Sequence, residues 1–228
     1  MDSVHIRKAP RIDMASGMTN GKPRSTYRHG DLRRALIDAG IELAREGGPD
    51  AIVLREATRR AGVVPNAAYR HFESRQELLS AVRSAALSFV AQAMEEELAS
   101  RPKKRRRADA ARAGLRAIGT GYLRFAQTET GLFRTAFAAP QAEWAEHEGH
   151  YGEGPGGLDP FQLLSRALDE MVEAGALDAK RRLNAEYLAW SAVHGFALLV
   201  IEGPLQGLKR TQIEPLAARL LDMVENGI

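Results

Sequence analysis

Residues 54–82 read LREATRRAGVVPNAAYRHFESRQELLSAV, and their spacing decides the fold. Leu54 to Ala61 consists of helix formers, with Glu56 and Arg60 set for an i,i+4 ion pair. Gly62 stops that helix, because a left-handed residue past the last turn lets orphan carbonyls find donors and glycine adopts it without Cβ strain. Val63 is an apolar plug for the angle between two helices. Pro65 suits a first helical position, where its fixed φ is an advantage. Asn66 to Phe72 then makes two turns, and Ser74-Arg75-Gln76-Glu77 has the pattern of a capping box opening a further helix. Two helices joined by a short glycine-containing turn are either a helix-turn-helix or an ordinary αα-hairpin. The second helix separates these readings. Asn66, Tyr69, Arg70 and His71 are costly to bury and well suited to phosphates and base edges.

The 228 residues are 44% hydrophobic, enough for one large or two small domains with a substantial core. There is no Cys, which excludes a disulfide framework and thiolate metal sites and fits a reducing cytoplasm. The longest apolar stretch, Trp190 to Ile201, is too short to span a bilayer, so no membrane partner is expected. No signal-peptide core follows the N-terminus. The net charge of +3 is unevenly spread. Residues 1–75 carry 14 Lys and Arg against 9 Asp and Glu, whereas residues 76–228 carry 18 against 20. A basic helix-turn-helix end on a slightly acidic body favours a polyanion at that end, with double-stranded DNA the expected partner.

Residues 1–23 mix Gly, Pro, Ser and charge without periodicity and read as a disordered arm. Lys22, Arg24 and Arg28 close the arm and are placed to track phosphates. A first helix is expected over Asp31 to Glu46, ended by Gly47-Gly48-Pro49. A long helix is expected from Arg75 to about Leu98, and Arg101 to Arg107 (RPKKRRR) reads as a solvated connector broken by Pro102. Further helices are expected near 108–127, 130–138, 159–174, 180–202 and 212–226. Pro140 to Gly157 holds no Lys or Arg and is expected to be mobile, with Trp144 or Tyr151 as lid candidates. The resulting fold class is all-α: a three-helix helix-turn-helix DNA-binding domain over residues 24–74, followed by a helical ligand-binding and dimerisation domain over 75–228.

From about Tyr27 to Val82 the chain resembles the DNA-binding domain of TetR-family transcriptional regulators. The Tyr69-Arg70-His71-Phe72 step before the capped helix is the most specific part of that likeness. Trp190-Ser-Ala-Val-His194-Gly195 is similar to a Trp-His-Gly segment in the C-terminal domain of one branch. The chain departs from the pattern at Val53 and Val64, where Ser or Thr usually caps a helix, and at Thr58, where a small apolar residue is usual. Each missing cap is worth about 1 kcal/mol. The resemblance implies a guanine contact for Arg55 and a groove-facing start to the second helix at Pro65. Asn66 has the chemistry to pair with adenine and Ala67 to touch a thymine methyl. Tyr69, His71 and Arg75 are expected on phosphates, Arg75 beside a helix N-terminus.

In the remaining chain the candidate effector pocket is lined by Phe89, Tyr122, Phe125, Phe133, Phe161, Trp190 and His194, with Tyr122, Trp190 and His194 as polar tips. Tyr187, Trp190 and His194 fall at i, i+3 and i+7 and share one face of their helix. Leu183, Ala192, Gly195, Leu199, Leu216, Leu220 and either Met223 or Val224 on the last helices form apolar stripes, and the resemblance implies that these helices make a four-helix homodimer interface. No nucleophile–base set, phosphate-binding glycine loop or chelating cluster is visible, so neither cofactor nor metal is expected and an enzyme reading is disfavoured. The expected function is a dimeric regulator, by default a repressor released from a palindromic operator by a small apolar molecule. A small α-helical enzyme or an adaptor using the aromatic pocket is the alternative.

Overall fold

The computed structural model describes residues 29–138 and 152–227, and every regular element among them is helical. The head contains α1 (His29–Gly47), a one-turn 3-10 helix (Gly48–Ala51), α2 (Leu54–Arg60) and α3 (Pro65–Ala68). Next come α4 (Arg75–Ser100), α5 (Arg107–Thr128) and α6 (Thr130–Ala136). The body is completed by α7 (Pro160–Glu173), a 3-10 turn (Ala179–Arg181), α8 (Ala185–Ile201) and α9 (Arg210–Gly227). The arm with Lys22, Arg24 and Arg28, and the lid candidates Trp144 and Tyr151, lie outside the described residues.

The turn after α2 forms as its sequence dictates. Gly62 has φ +68°, Val63 N–H donates to the Thr58 carbonyl (3.0 Å) and Gly62 N–H to that of Arg59 (3.3 Å). That pair of bonds is the Schellman arrangement. Val53 and Val64 stand at the starts of α2 and α3 without a side-chain cap bond. The buried Thr58 hydroxyl is satisfied locally by donating to the Arg55 carbonyl at 2.7 Å. Ser74 accepts from Glu77 N–H at 3.2 Å, but the Glu77 carboxylate returns to the N–H of Glu73 (2.7 Å), not to Ser74 as the capping-box pattern implies. α3 is four residues long, shorter than the expected two turns. Beyond Ala68 the chain tightens: His71 and Phe72 N–H both donate to the Ala68 carbonyl (2.8 and 2.9 Å), so Tyr69 to His71 is a turn.

One hydrophobic core runs the length of the molecule, from Leu36, Ile52 and Phe72 through Val82 and Val90 to Phe133, Leu168 and Met171. α4, 26 residues and about 39 Å long at 1.5 Å per residue, is its spine. Its first half packs on α1: a Cβ added at Gly40 would press on the Val82 side chain. Its second half packs on α5, where Gly121 brings the backbones together. A Cβ there would stand 2.5 Å from the Ala93 carbonyl oxygen and 2.7 Å from Met94 Cα. The loop 101–106 exposes Lys103 to Arg106, while Arg101 donates to the Leu98 carbonyl (2.6 Å) and Arg107, opening α5, pairs with Glu173 (3.2 Å). The described end of the Gly-rich loop is pinned, since Gly156 N–H donates to the Glu95 carboxylate at 3.1 Å.

Candidate nucleic-acid interface and ligand cavity

The α2–turn–α3 unit is held from below by Ala68 and Phe72, both fully buried, with the Arg33 guanidinium 5.0 Å from the Phe72 ring centre. Above that base the short helix presents polar chemistry outward. Asn66, Arg70 and, on α2, Arg55 are exposed, and Tyr69 is 57% exposed. Ala67 and His71 are half-buried between this face and the core. Pro65 opens α3. An outward tyrosine flanked by an amide and an arginine gains nothing from the fold, and it suits a ligand with phosphates and base edges.

The head's other charges are arranged to neutralise one another. Arg59 forks onto Glu56 (2.8 and 2.6 Å), while Arg60 bridges Glu56 (3.2 Å) and Glu46 (2.7 and 2.6 Å). Hydrogen bonds from Arg59 and then Arg60 hold the Glu56 carboxyl down at about 2. Arg55 and Arg70 have no ion-pair partner among the described residues, which leaves their charge for an outside anion. Arg75 is exposed but already engaged: Nε donates to the Ile52 carbonyl and Nη2 to that of Pro49, each at 2.7 Å. It locks the loop between α1 and α2 to the start of α4, a tie that spacing alone did not reveal.

In the body, α4, α5, α7, α8 and α9 enclose a cavity of about 400 Å³. Of the pocket candidates, Tyr122, Phe161 and Trp190 line it. Phe89, Phe125, Phe133 and His194 do not. Phe89 is half-buried beside the Arg45 guanidinium (5.7 Å), Phe125 is buried in the core, and Phe133 backs Tyr122 edge-on at 5.3 Å. On α8 the wall is formed by Tyr187, Trp190 and Val193, which turns His194 about 100° away from it. His194 still acts on the cavity through Tyr122. The phenol oxygen lies 2.7 Å from His194 Nδ1 and accepts from Trp190 Nε1–H at 3.3 Å. Burial holds His194 below its ordinary pKa and so favours the neutral ring, whose Nδ1 shares a hydrogen bond with the Tyr122 hydroxyl. Burial also raises the Tyr122 pKa, an effect only partly offset by the Trp190 N–H.

Sequence reasoning missed the α4 wall, made by Arg83, Leu87 and Met94. The signal was present: Arg83 is the only charged residue between Leu78 and Met94. A lone charge inside such a run must be either an exposed interruption or a buried feature with a task, and Arg83 is 6% exposed.

The model of "Bacterial regulatory proteins, tetR family" matches residues 36–82, and that of "Tetracyclin repressor-like, C-terminal domain" matches residues 115–224. The chain belongs to the TetR family. Its head is therefore the family's DNA-binding helix-turn-helix and its body the family's C-terminal domain. Among solved structures, a protein of unknown function from Rhodococcus sp. RHA1 is similar over 90% of this chain and 99% of its own, at 25% identity and a TM-score of 0.68. The regulator FadR from Bacillus subtilis, in complex with stearoyl-CoA, matches over 86% of this chain and 98% of its own (15% identity, TM-score 0.56). The TetR-family regulator PfmR from Thermus thermophilus matches over 85% and 98% (19%, 0.50). No curated protein sequence is a match. This TetR-family chain also leaves an apolar face open on its last elements, where Leu183 (81%), Leu188 (63%), Leu199, Leu216 and Met223 (57%) are exposed. Val224, the alternative to Met223 as an interface candidate, is buried and lines the cavity.

Proposed function

We propose that this TetR-family chain is a dimeric, ligand-responsive DNA-binding regulator: a repressor released from a palindromic operator by a small molecule with a largely apolar body. In this reading residues 24–74 bind DNA and residues 75–228 sense and dimerise. The observation that carries it is α4, whose start is tied to the head through Arg75 and whose later turns wall the cavity with Leu87 and Met94. An occupant that fits a different tilt of α4 moves the head. For two heads joined by a two-fold axis, tilt changes the spacing of the reading helices against half-sites one helical turn apart. Roughly 100-fold release requires about 3 kcal/mol of differential affinity between the two tilts.

Asn66 and Ala67 read bases in this proposal, Arg55 contacts a guanine, and Tyr69 and His71 hold phosphates, with Arg75 contributing its remaining donors. The second copy covers the open face of α8 and α9. α8 holds a single charged residue, Glu186, and a helix so apolar on all sides needs burial on all sides. The test is a gel shift with the DNA upstream of the chain's own gene. Binding should fall steeply with added salt, and Tyr69→Ala should abolish it with thermal stability retained. Failure to retard any upstream fragment at low salt refutes the reading. A collapsed Tyr69→Ala variant would assign Tyr69 to the fold.

A further inference from the structure

We propose that the loop between α4 and α5 is a second nucleic-acid contact: a sequence-independent seat for the phosphates of a duplex other than the one held by the heads. It goes beyond the regulator reading and takes from it only the duplex at the heads. The side chains of Lys103, Lys104, Arg105 and Arg106 are exposed, and none forms an ion pair or hydrogen bond among the described residues. Elsewhere in the body arginines are matched to acids. Arg134 pairs with Glu202 (2.6 Å), Arg166 with Glu170 (3.4 Å), and Arg182 with Asp169 and Glu186 (2.6 Å each). The carboxylates around the loop are spent in the same way. Arg107 holds Glu173 (3.2 Å), Arg124 holds Glu97 (2.6 Å), and Arg116 holds Asp222 and Glu225. Four adjacent cations are therefore left without a counter-charge from the fold.

The surroundings reinforce the positive field. An open groove of about 430 Å³ borders the loop, lined by Arg101, Lys104, Arg112 and Arg116 among others. Arg112 also has no carboxylate partner, and Asp109 is the one acid of the groove outside an ion pair, among the described residues. Arg106 stands at the N-cap of the 22-residue α5 without a side-chain cap bond, so the helix's positive end opens into the same patch. The chemistry of the loop selects the polyanion. Pro102 is the one uncharged residue from Arg101 to Arg107, so the run has no aromatic or large apolar side chain to enter a bilayer interface or anchor a protein partner. Phosphate tracking needs only the cations. Lys103 to Arg106 cover about 10 Å when extended, and a duplex presents one negative charge per about 1.7 Å of axis. Reach decides which duplex. The loop lies at the far end of α4, about 39 Å from Arg75, several screening lengths of about 10 Å at 0.1 M salt. A straight duplex under the heads is out of range, and a second one is not.

The probe is a short fluorescent duplex of arbitrary sequence, followed by anisotropy with the full chain. A head variant carrying Arg55→Gln, Tyr69→Ala and Arg70→Gln should still bind it, because the loop is untouched. Adding Lys103→Gln, Lys104→Gln, Arg105→Gln and Arg106→Gln should lower the log–log salt slope by about 3.6, or 0.9 for each of four phosphates, which is roughly 150-fold in affinity between 50 and 200 mM salt. Lys103→Gln with Lys104→Gln alone should take about half of that slope. These side chains are exposed, so thermal midpoints should stay level with the parent. With the head intact, wild type held on beads by an upstream fragment should capture the fluorescent duplex, and the four-fold loop variant should hold the fragment but not capture it. A salt slope unchanged by the loop substitutions, or no capture by wild type on fragment-loaded beads, overturns the proposal. So does tighter binding of the head variant to phosphatidylglycerol vesicles or polyglutamate than to the duplex at equal salt. A chain that ignores upstream fragments but keeps the loop-dependent slope loses only the regulator reading, whereas one that retards them with no loop-dependent slope loses only this inference.

Discussion

Two glycines of α5 should respond oppositely to the same one-carbon addition. Gly121 and Gly114 are both buried, both lie within α5 and both face α4. Replacing either by Ala gains about 1 kcal/mol of helix propensity. At Gly114 the new methyl would rest 3.7 Å from the Leu98 side chain, an ordinary contact. At Gly121 it would meet backbone: 2.5 Å from the Ala93 carbonyl oxygen, 2.7 Å from Met94 Cα and 2.9 Å from the Ala93 carbonyl carbon. Restoring normal contact requires α4 and α5 to separate by nearly an ångström, and backbone in a packed helix cannot rotate aside as a side chain does. Overpacking typically costs about 1–3 kcal/mol and occasionally more, and a clash with backbone belongs at the upper end, about 2–4 kcal/mol. Net of propensity, Gly121→Ala should destabilise by about 1–3 kcal/mol and Gly114→Ala should stabilise by up to about 1 kcal/mol. For a chain of this size 1 kcal/mol moves Tm by about 2–4 °C. Differential scanning calorimetry should therefore show Gly121→Ala melting roughly 3–10 °C below wild type and Gly114→Ala level with it or a few degrees above. Shifts of the same sign and size in both variants would refute the backbone-contact argument.

Arg75→Ala removes two charge-assisted bonds to the Pro49 and Ile52 carbonyls. Discounted for solvent exposure, these are worth about 1–2 kcal/mol together, so Tm should fall by about 3–6 °C. On the proposed function, the same variant should weaken DNA binding equally on all sequences and flatten its salt dependence; an unchanged Tm would show that the loop tie carries no stability. His194 predicts a pH effect. Burial lowers its folded pKa beneath the free value of 6.5, so the unfolded chain binds the proton more readily. Its contribution to stability is present above that value and is lost as pH falls below it. Tm should drop between pH 7.5 and 5.5, and His194→Gln should flatten part of that slope; an identical slope in the variant would remove His194 as the cause.

The head was legible because its signals are short-range. Gly62 marks its own positive φ, Ser74 its own cap, and the Glu56–Arg60 spacing its own ion pair. The length of α3 was not legible, since the tightening after Ala68 depends on how Phe72 is drawn into the core. The cavity was half legible for a similar reason. Helical period places Tyr187, Trp190 and their neighbours on a common face, yet the boundary between wall and interior falls between Val193 and His194 and is fixed by the opposing helix. Phe133 and Phe89 are aromatic in the right helices but back or flank the wall, because chemistry alone does not tell a lining residue from the one behind it. Arg83 carried the strongest clue of all, a charge standing alone in an apolar run, which the stripe of hydrophobic positions on α4 concealed.

The continuity of the interior through α4 bears on how the molecule comes apart. Leu78 and Val82 complete the interior of the amino-terminal bundle, and Val90 and Met94, further along the same rod, complete that of the carboxy-terminal one. Neither bundle can melt without stripping a neighbour from the other, so denaturation should be a single cooperative event despite the two-part layout. A fragment cut within that rod would expose Leu or Val side chains on whichever piece keeps them. The protein is therefore a poor candidate for dissection into autonomous halves, and any mobility it exploits must be a rigid swing about an intact rod, not a local loosening of one end.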